Sequence, residues 1–270
     1  MKLKTSFAFL SLSLLYIACS SVNPFTGEKN LALVSNAEIL PIAFQQYDQF
    51  LETHEVVTGT SEARMVSEVG NKIARASAKY LNALGYNDYL KDYQWEFKLI
   101  NSEEVNAWAL PGGKVVVYTG ILPVANSEAM VAAIMGHEIA HALANHGQRR
   151  MSVAQLQQLG AAVGGALLEE NQEIFATAYG MGTQLGVMLP FSRSNETEAD
   201  KIGLTLMALS GYDPQAAIDL WNRMKQHSGG QPAEWLSTHP SHDTRIQNLT
   251  SWAEEAKSTA RKYGVTSFQR

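Results

Sequence analysis

Gly136-His137-Glu138-Ile139-Ala140-His141 is the stretch on which the reading of this 270-residue chain turns. It is an H-E-x-x-H motif set in an apolar run. At 3.6 residues per turn, two histidines four apart project from the same side of a helix. Their imidazoles can therefore share one divalent ion, and neutral imidazole is a preferred zinc ligand. Glu138, next to the first His, is placed to take a proton from a water activated there. The surrounding pattern supports a helix over Ser127–His146, with Met130, Ala133, Ile134 and His137 recurring at steps of three and four. Asn126 and Ser127 offer N-cap chemistry, Glu128 suits the first turn, and Gly147 offers a stop. Burying two His and a Glu without partners on so apolar a helix would cost several kcal/mol, which favours a metal over ordinary helix residues.

A catalytic zinc usually takes three protein ligands and a water, so a third ligand is needed. The metzincin pattern would place a Gly three residues and a His six residues after His141, but Ala144 and Gly147 stand there. His146 would lie about 140° around a continuous helix from His141, facing elsewhere and suited to the helix C-terminal dipole. Glu169, Glu170 and Glu173 read as a solvated cluster. The remaining acids lie in Ser192-Arg193-Ser194-Asn195-Glu196-Thr197-Glu198-Ala199-Asp200, where a helix begins. Glu196, Ala199 and Asp200 share one face of it, while Glu198 points away toward solvent.

With this segment, 55 residues after His141, the chain resembles the gluzincin zinc metallopeptidases of the CAAX prenyl endopeptidase and HtpX type. Asn106-Ala107-Trp108-Ala109-Leu110-Pro111-Gly112-Gly113 is similar to that family's N-A-x-A-x-P-G-G strand bordering the cleft. Thr238-His239-Pro240, followed by Arg245, resembles its H-P-x-x-x-x-R element. The resemblance runs from about Ser61 to Tyr263 and points to the branch of small periplasmic lipoproteins without a TPR domain. It implies an α+β, mostly helical, zincin-like fold with a small β-sheet packed on the H-E-x-x-H helix. One Zn²⁺ would be held by His137, His141 and Glu196, with Glu138 as general base and Asp200 bracing a ligand His. His239 and Arg245 keep several possible jobs: oxyanion stabilisation, a latch in which His239 takes the water's position, or a structural turn before the last helix.

The first eighteen residues read as a processing signal. Lys2 and Lys4 precede an apolar run, Phe7 to Ala18, that is short for a membrane span, and Leu15-Tyr16-Ile17-Ala18-Cys19 resembles a lipobox. Ser20 fits outer-membrane rather than inner-membrane sorting in a Gram-negative bacterium. Cys19 is the only cysteine, so no internal disulfide and no Cys-ligated metal is available. The expected organisation is a lipoprotein signal peptide (1–18), an irregular linker (19–36) and a single metallopeptidase domain (37–270). Beyond Cys19 the formal charge is −7, which argues against a nucleic-acid partner. Helices are expected near Ala37–His54, Ser61–Leu84, Ser194–Leu209, Pro214–His227 and Ser241–Tyr263. Strands are expected over Gln94–Ile100, Ala107–Leu110 and Lys114–Tyr118. Leu159–Leu168 and Ile174–Phe191 read as two buried or membrane-surface helices. Together these features predict a periplasmic, lipid-anchored zinc endopeptidase acting on unfolded or misassembled envelope proteins. The alternative is a zinc-stabilised chaperone, against which Glu138 argues, because holding a metal does not require it.

Overall fold

The computed structural model describes residues 20–167, 189–227, 239 and 244–270. A short ladder, β1 (Ser20–Val22) against β2 (Lys29–Leu31), comes first, followed by α1 (Asn36–Thr53), β3 (Val56–Val57) and α2 (Ser61–Ala83). Next are β4 (Glu96–Ile100), β5 (Ala107–Leu110) and β6 (Lys114–Tyr118), then α3 (Glu128–Leu143) and α4 (His146–Leu167). The chain continues through α5 (Leu189–Leu209), α6 (Gln215–His227) and α7 (Arg245–Lys262). The fold is mostly helical with small sheets, as expected from sequence. Residues 20–31, expected to be irregular, instead pair as strands, Ser20 opposite Leu31 and Val22 opposite Lys29. The signal segment and most of the second apolar stretch, Ile174–Phe191, lie outside the described residues. Among the described residues, no helix is long and apolar enough to cross a membrane.

The main sheet has the order β3-β4-β6-β5, with β4 parallel to β6 and the other pairs antiparallel. Strand alternation divides its side chains between two layers. Phe97, Leu99, Val115 and Val117 join the main core with α2 and α3, whereas Ile100, Val116 and Tyr118 pack with Tyr47 of α1. β5 and β6 form the hairpin read from sequence around Pro111-Gly112-Gly113. Gly112 and Gly113 turn at φ 86° and 92°, left-handed values that glycine adopts without steric cost. β5 is one of the two edge strands of this sheet and, among the described residues, pairs with β6 alone.

Apart from Glu128 and Met130, every residue of α3 is buried, as its all-round apolar pattern dictates. Ile134, Met135, Ile139 and Leu143 each bury a side chain worth about 1.5–3 kcal/mol. Ser127 accepts a hydrogen bond from the Met130 amide and caps the helix N-terminus. At the other end Tyr89 and Tyr93 donate to the carbonyls of Leu143 and Ala142, satisfying groups that the helix leaves open. α3 does not run on to His146. Asn145 takes φ 57°, the one left-handed non-glycine residue among those described, and α4 starts in a new direction. Asn tolerates this conformation better than most residues, and its amide donates to the Tyr89 hydroxyl at 2.9 Å.

α5 crosses α3 where Gly203 meets Gly136. A Cβ on Gly203 would lie 3.0 Å from the Gly136 carbonyl carbon and from the His137 nitrogen. The two backbones therefore touch, which brings side chains one and two turns up α5 directly over the histidines of α3.

Candidate metal centre

His137 and His141 project from α3, Glu196 and Asp200 from α5, and Arg245 from the first turn of α7, with His239 preceding it. All six are buried, as is Glu138. His137 Nε2 and His141 Nε2 are 3.0 Å apart, and each lies 3.3 Å from an oxygen of Glu196. His239 Nδ1 lies 3.2 Å from His137 Nε2 and 3.0 Å from both Glu196 oxygens. One donor atom from each of these four residues falls within 4.8 Å of the other three. An ion bound tetrahedrally at zinc distances would space its donors about 3.3 Å apart, so the arrangement fits a divalent metal. Charge fits as well, since three buried carboxyl groups (Glu138, Glu196 and Asp200) face one buried guanidinium.

His137 Nδ1 lies 3.0 Å from Asp200 Oδ1 and can donate its proton there, so that a metal at the cluster would take the Nε2 lone pair in place of a second proton. Arg245 in turn donates to Asp200 at 2.6 Å and to Glu196 at 3.5 Å, and its guanidinium stacks 3.6 Å from the Trp221 ring centroid. Burial disfavours charge on His137, but the adjacent Asp200 and Glu196 outweigh it and push its pKa up to about 9. For His141, burial dominates and holds it well below the ordinary histidine range. Burial would raise Glu196, yet hydrogen bonds from the three histidines drive it far below the carboxylate range. The site is thus built to keep Glu196 ionised and to carry no second imidazolium on α3. Glu138 Oε1 lies 3.4 Å from His239 Nε2, on the donor side of the cluster.

Each site residue expected from sequence and described here lies in or against this cluster, and Glu196, Ala199 and Asp200 form one buried face as expected. Two expectations are corrected. Glu198 is not solvated: its side chain is 11% exposed and pairs with His146 and Arg149. His146 does not face away from His141, because the break at Asn145 turns it back behind that ligand, Nδ1 to Nδ1 at 2.8 Å. Sequence reading also missed Trp221 beneath Arg245, for which neither motif nor spacing gave a signal.

A cavity of about 290 Å³ adjoins the cluster and the end of β5, lined by Ile39, Ile42, Leu110, Pro111, His141 and Met151. A larger one of about 810 Å³ lies behind Glu198 and Arg149, away from the converging donors. The chemistry therefore belongs with the smaller cavity.

A helix bearing paired histidines, a facing carboxylate from a second helix, an adjacent acid and a flanking sheet edge define a zincin-like, metal-dependent hydrolase. The chain belongs to peptidase family M48, which it matches over residues 65–253. The relatives it matches carry the names of metalloendopeptidases and proteases. It is 38% identical over 170 residues to the mitochondrial metalloendopeptidase OMA1 of Schizosaccharomyces pombe, covering 62% of this chain and 49% of that protein. To the mitochondrial metalloendopeptidase OMA1 of Bos taurus it is 27% identical over 250 residues, covering 87% and 46%. To the beta-barrel assembly-enhancing protease of Escherichia coli it is 32% identical over 193 residues, covering 66% and 39%. The chain thus spans half or less of the length of these curated relatives.

Proposed function

We propose that this chain is a zinc endopeptidase of the M48 lipoprotein branch, anchored through Cys19 at the periplasmic face of a Gram-negative outer membrane. There it would cut unfolded or misassembled envelope proteins. The observation that carries the reading is the convergence of His137, His141 and Glu196 beside Glu138, under an open strand edge. The likeness to the beta-barrel assembly-enhancing protease and the lipobox-like order ending at Cys19 support the compartment.

In this reading His137, His141 and Glu196 hold Zn²⁺, and the bound ion supplies Lewis acidity to the scissile carbonyl and to the attacking water. Glu138 takes the water's proton and passes it to the leaving amine. Asp200, held by Arg245, fixes the His137 ring so that its Nε2 faces the donor cluster. An extended substrate adds as a strand along β5, where main-chain hydrogen bonds accept many sequences, as a quality-control protease requires.

His239 lies within reach of both Glu196 and Glu138, in the space an attacking water would use, which favours the latch over an oxyanion role. His239→Ala should therefore raise the rate of casein cleavage by the purified chain several-fold. A fall in rate at unchanged metal content would instead assign His239 to transition-state stabilisation.

The envelope role is tested in a Gram-negative host overproducing a misassembled outer-membrane barrel protein. The wild-type chain should fractionate with the outer membrane and lower the level of that substrate, and Cys19→Ala should be released and lose most of the effect. A substrate level that ignores the wild-type chain would overturn the assignment.

A further inference from the structure

We propose that His146 and Glu198 are positioning residues for His141, joined to it by a directed chain of two N–H donations whose far end is tied down by Arg149 and by Asn23. The proposal rests on reading His141 as a metal ligand. For His141 to offer a bare lone pair at Nε2, its single ring proton must sit on Nδ1. Among the described residues the acceptor for that proton is His146 Nδ1 at 2.8 Å. His146 must accordingly carry its own proton on Nε2, which lies 2.8 Å from Glu198 Oε2. Each tautomer follows from the one before it, and the chain ends on a carboxylate, as histidine ligands with an acidic orienter do. His137 reaches Asp200 directly, whereas His141 reaches its carboxylate through a second imidazole.

Glu198 is held in place from two other elements. Arg149 of α4 donates to Oε2 at 3.2 Å. Asn23, 1% exposed in the turn after β1, donates its amide to Oε1 at 2.6 Å, across 175 residues of sequence. Thr26 donates its hydroxyl to the same oxygen at 3.4 Å. The amino-terminal turn is thereby joined, through three side chains, to the ring that faces the metal. His146 is fully buried, whereas Glu198 is only partly buried and borders the larger cavity, so the link at His146 is the one that water is least able to replace.

Zinc affinity of the full-length chain, measured by competition with a chromophoric chelator, tests this. Loss of such an orienting partner costs about 10–100-fold in metal affinity. His146→Leu, which keeps bulk but offers no acceptor, should bind Zn²⁺ that much more weakly. His146→Asn, whose amide oxygen can stand where Nδ1 stood, should recover part of the loss. Glu198→Gln and Asn23→Ala should weaken binding from the far end, and they decide the matter should His146→Leu fail to fold. Wild-type affinity in the folded variants, even with a lowered melting temperature, would make the group merely structural and overturn the proposal. Failure of the wild-type chain itself to bind Zn²⁺ would instead overturn the ligand assignment, and this proposal with it.

Discussion

Glu138→Gln should fold, keep its metal and cleave an unfolded protein about 10²–10⁴-fold more slowly than the wild-type chain, the usual cost of losing a positioned general base. The substitution keeps the side chain's length and volume within a buried helix, so packing against α5 is unchanged. All three proposed ligands survive it. An amide can still accept a hydrogen bond from the attacking water, but it cannot take up the proton and deliver it to the leaving nitrogen. Steady-state cleavage of casein, with metal content measured on the same sample, separates this outcome from loss of the site. Near-normal turnover with a full complement of metal would mean that the reaction does not pass through Glu138.

Much of this centre is legible in sequence because its parts are local. Paired histidines four apart, and acids four apart on α5, need only helical periodicity to be placed on one face. The β5–β6 turn follows from two consecutive glycines after a proline. What periodicity could not supply was the break at Asn145. A continuous helix carries His146 well around the axis from His141, whereas one left-handed residue folds it back behind the ligand. Asn is the residue most compatible with that geometry apart from glycine, but it also occurs inside helices, so its presence alone did not mark the turn. Glu198 was misjudged for a related reason: the face of α5 opposite Glu196 meets Asn23, Thr26, His146 and Arg149, elements remote in sequence. The β1–β2 ladder was invisible for the same cause, since three-residue strands carry almost no periodic signal.

Glu196 is the ligand on which the second large effect depends. It comes from a different helix from the histidines and accepts contacts from three of them, so Glu196→Ala removes the carboxylate that the cluster is organised around. Of the proposed ligands only His137 and His141 remain, one short of the protein ligand set usual for catalytic zinc, and His239, left beside them, would take the position of the attacking water. Without Lewis acidity the attacking water would be far less acidic, and turnover should fall by about 10³-fold or more.

The most direct measurement is a metal titration of activity. The purified wild-type chain is stripped with chelator, and casein cleavage is followed as Zn²⁺ is added back, with Glu196→Ala carried in parallel. Cleavage should vanish on stripping, return in proportion to added zinc, and level off at about one equivalent per chain. Glu196→Ala should not recover. A stripped chain that still cleaves at its full rate, or a Glu196→Ala chain that regains wild-type activity at one equivalent, would contradict a metal centre built from His137, His141 and Glu196.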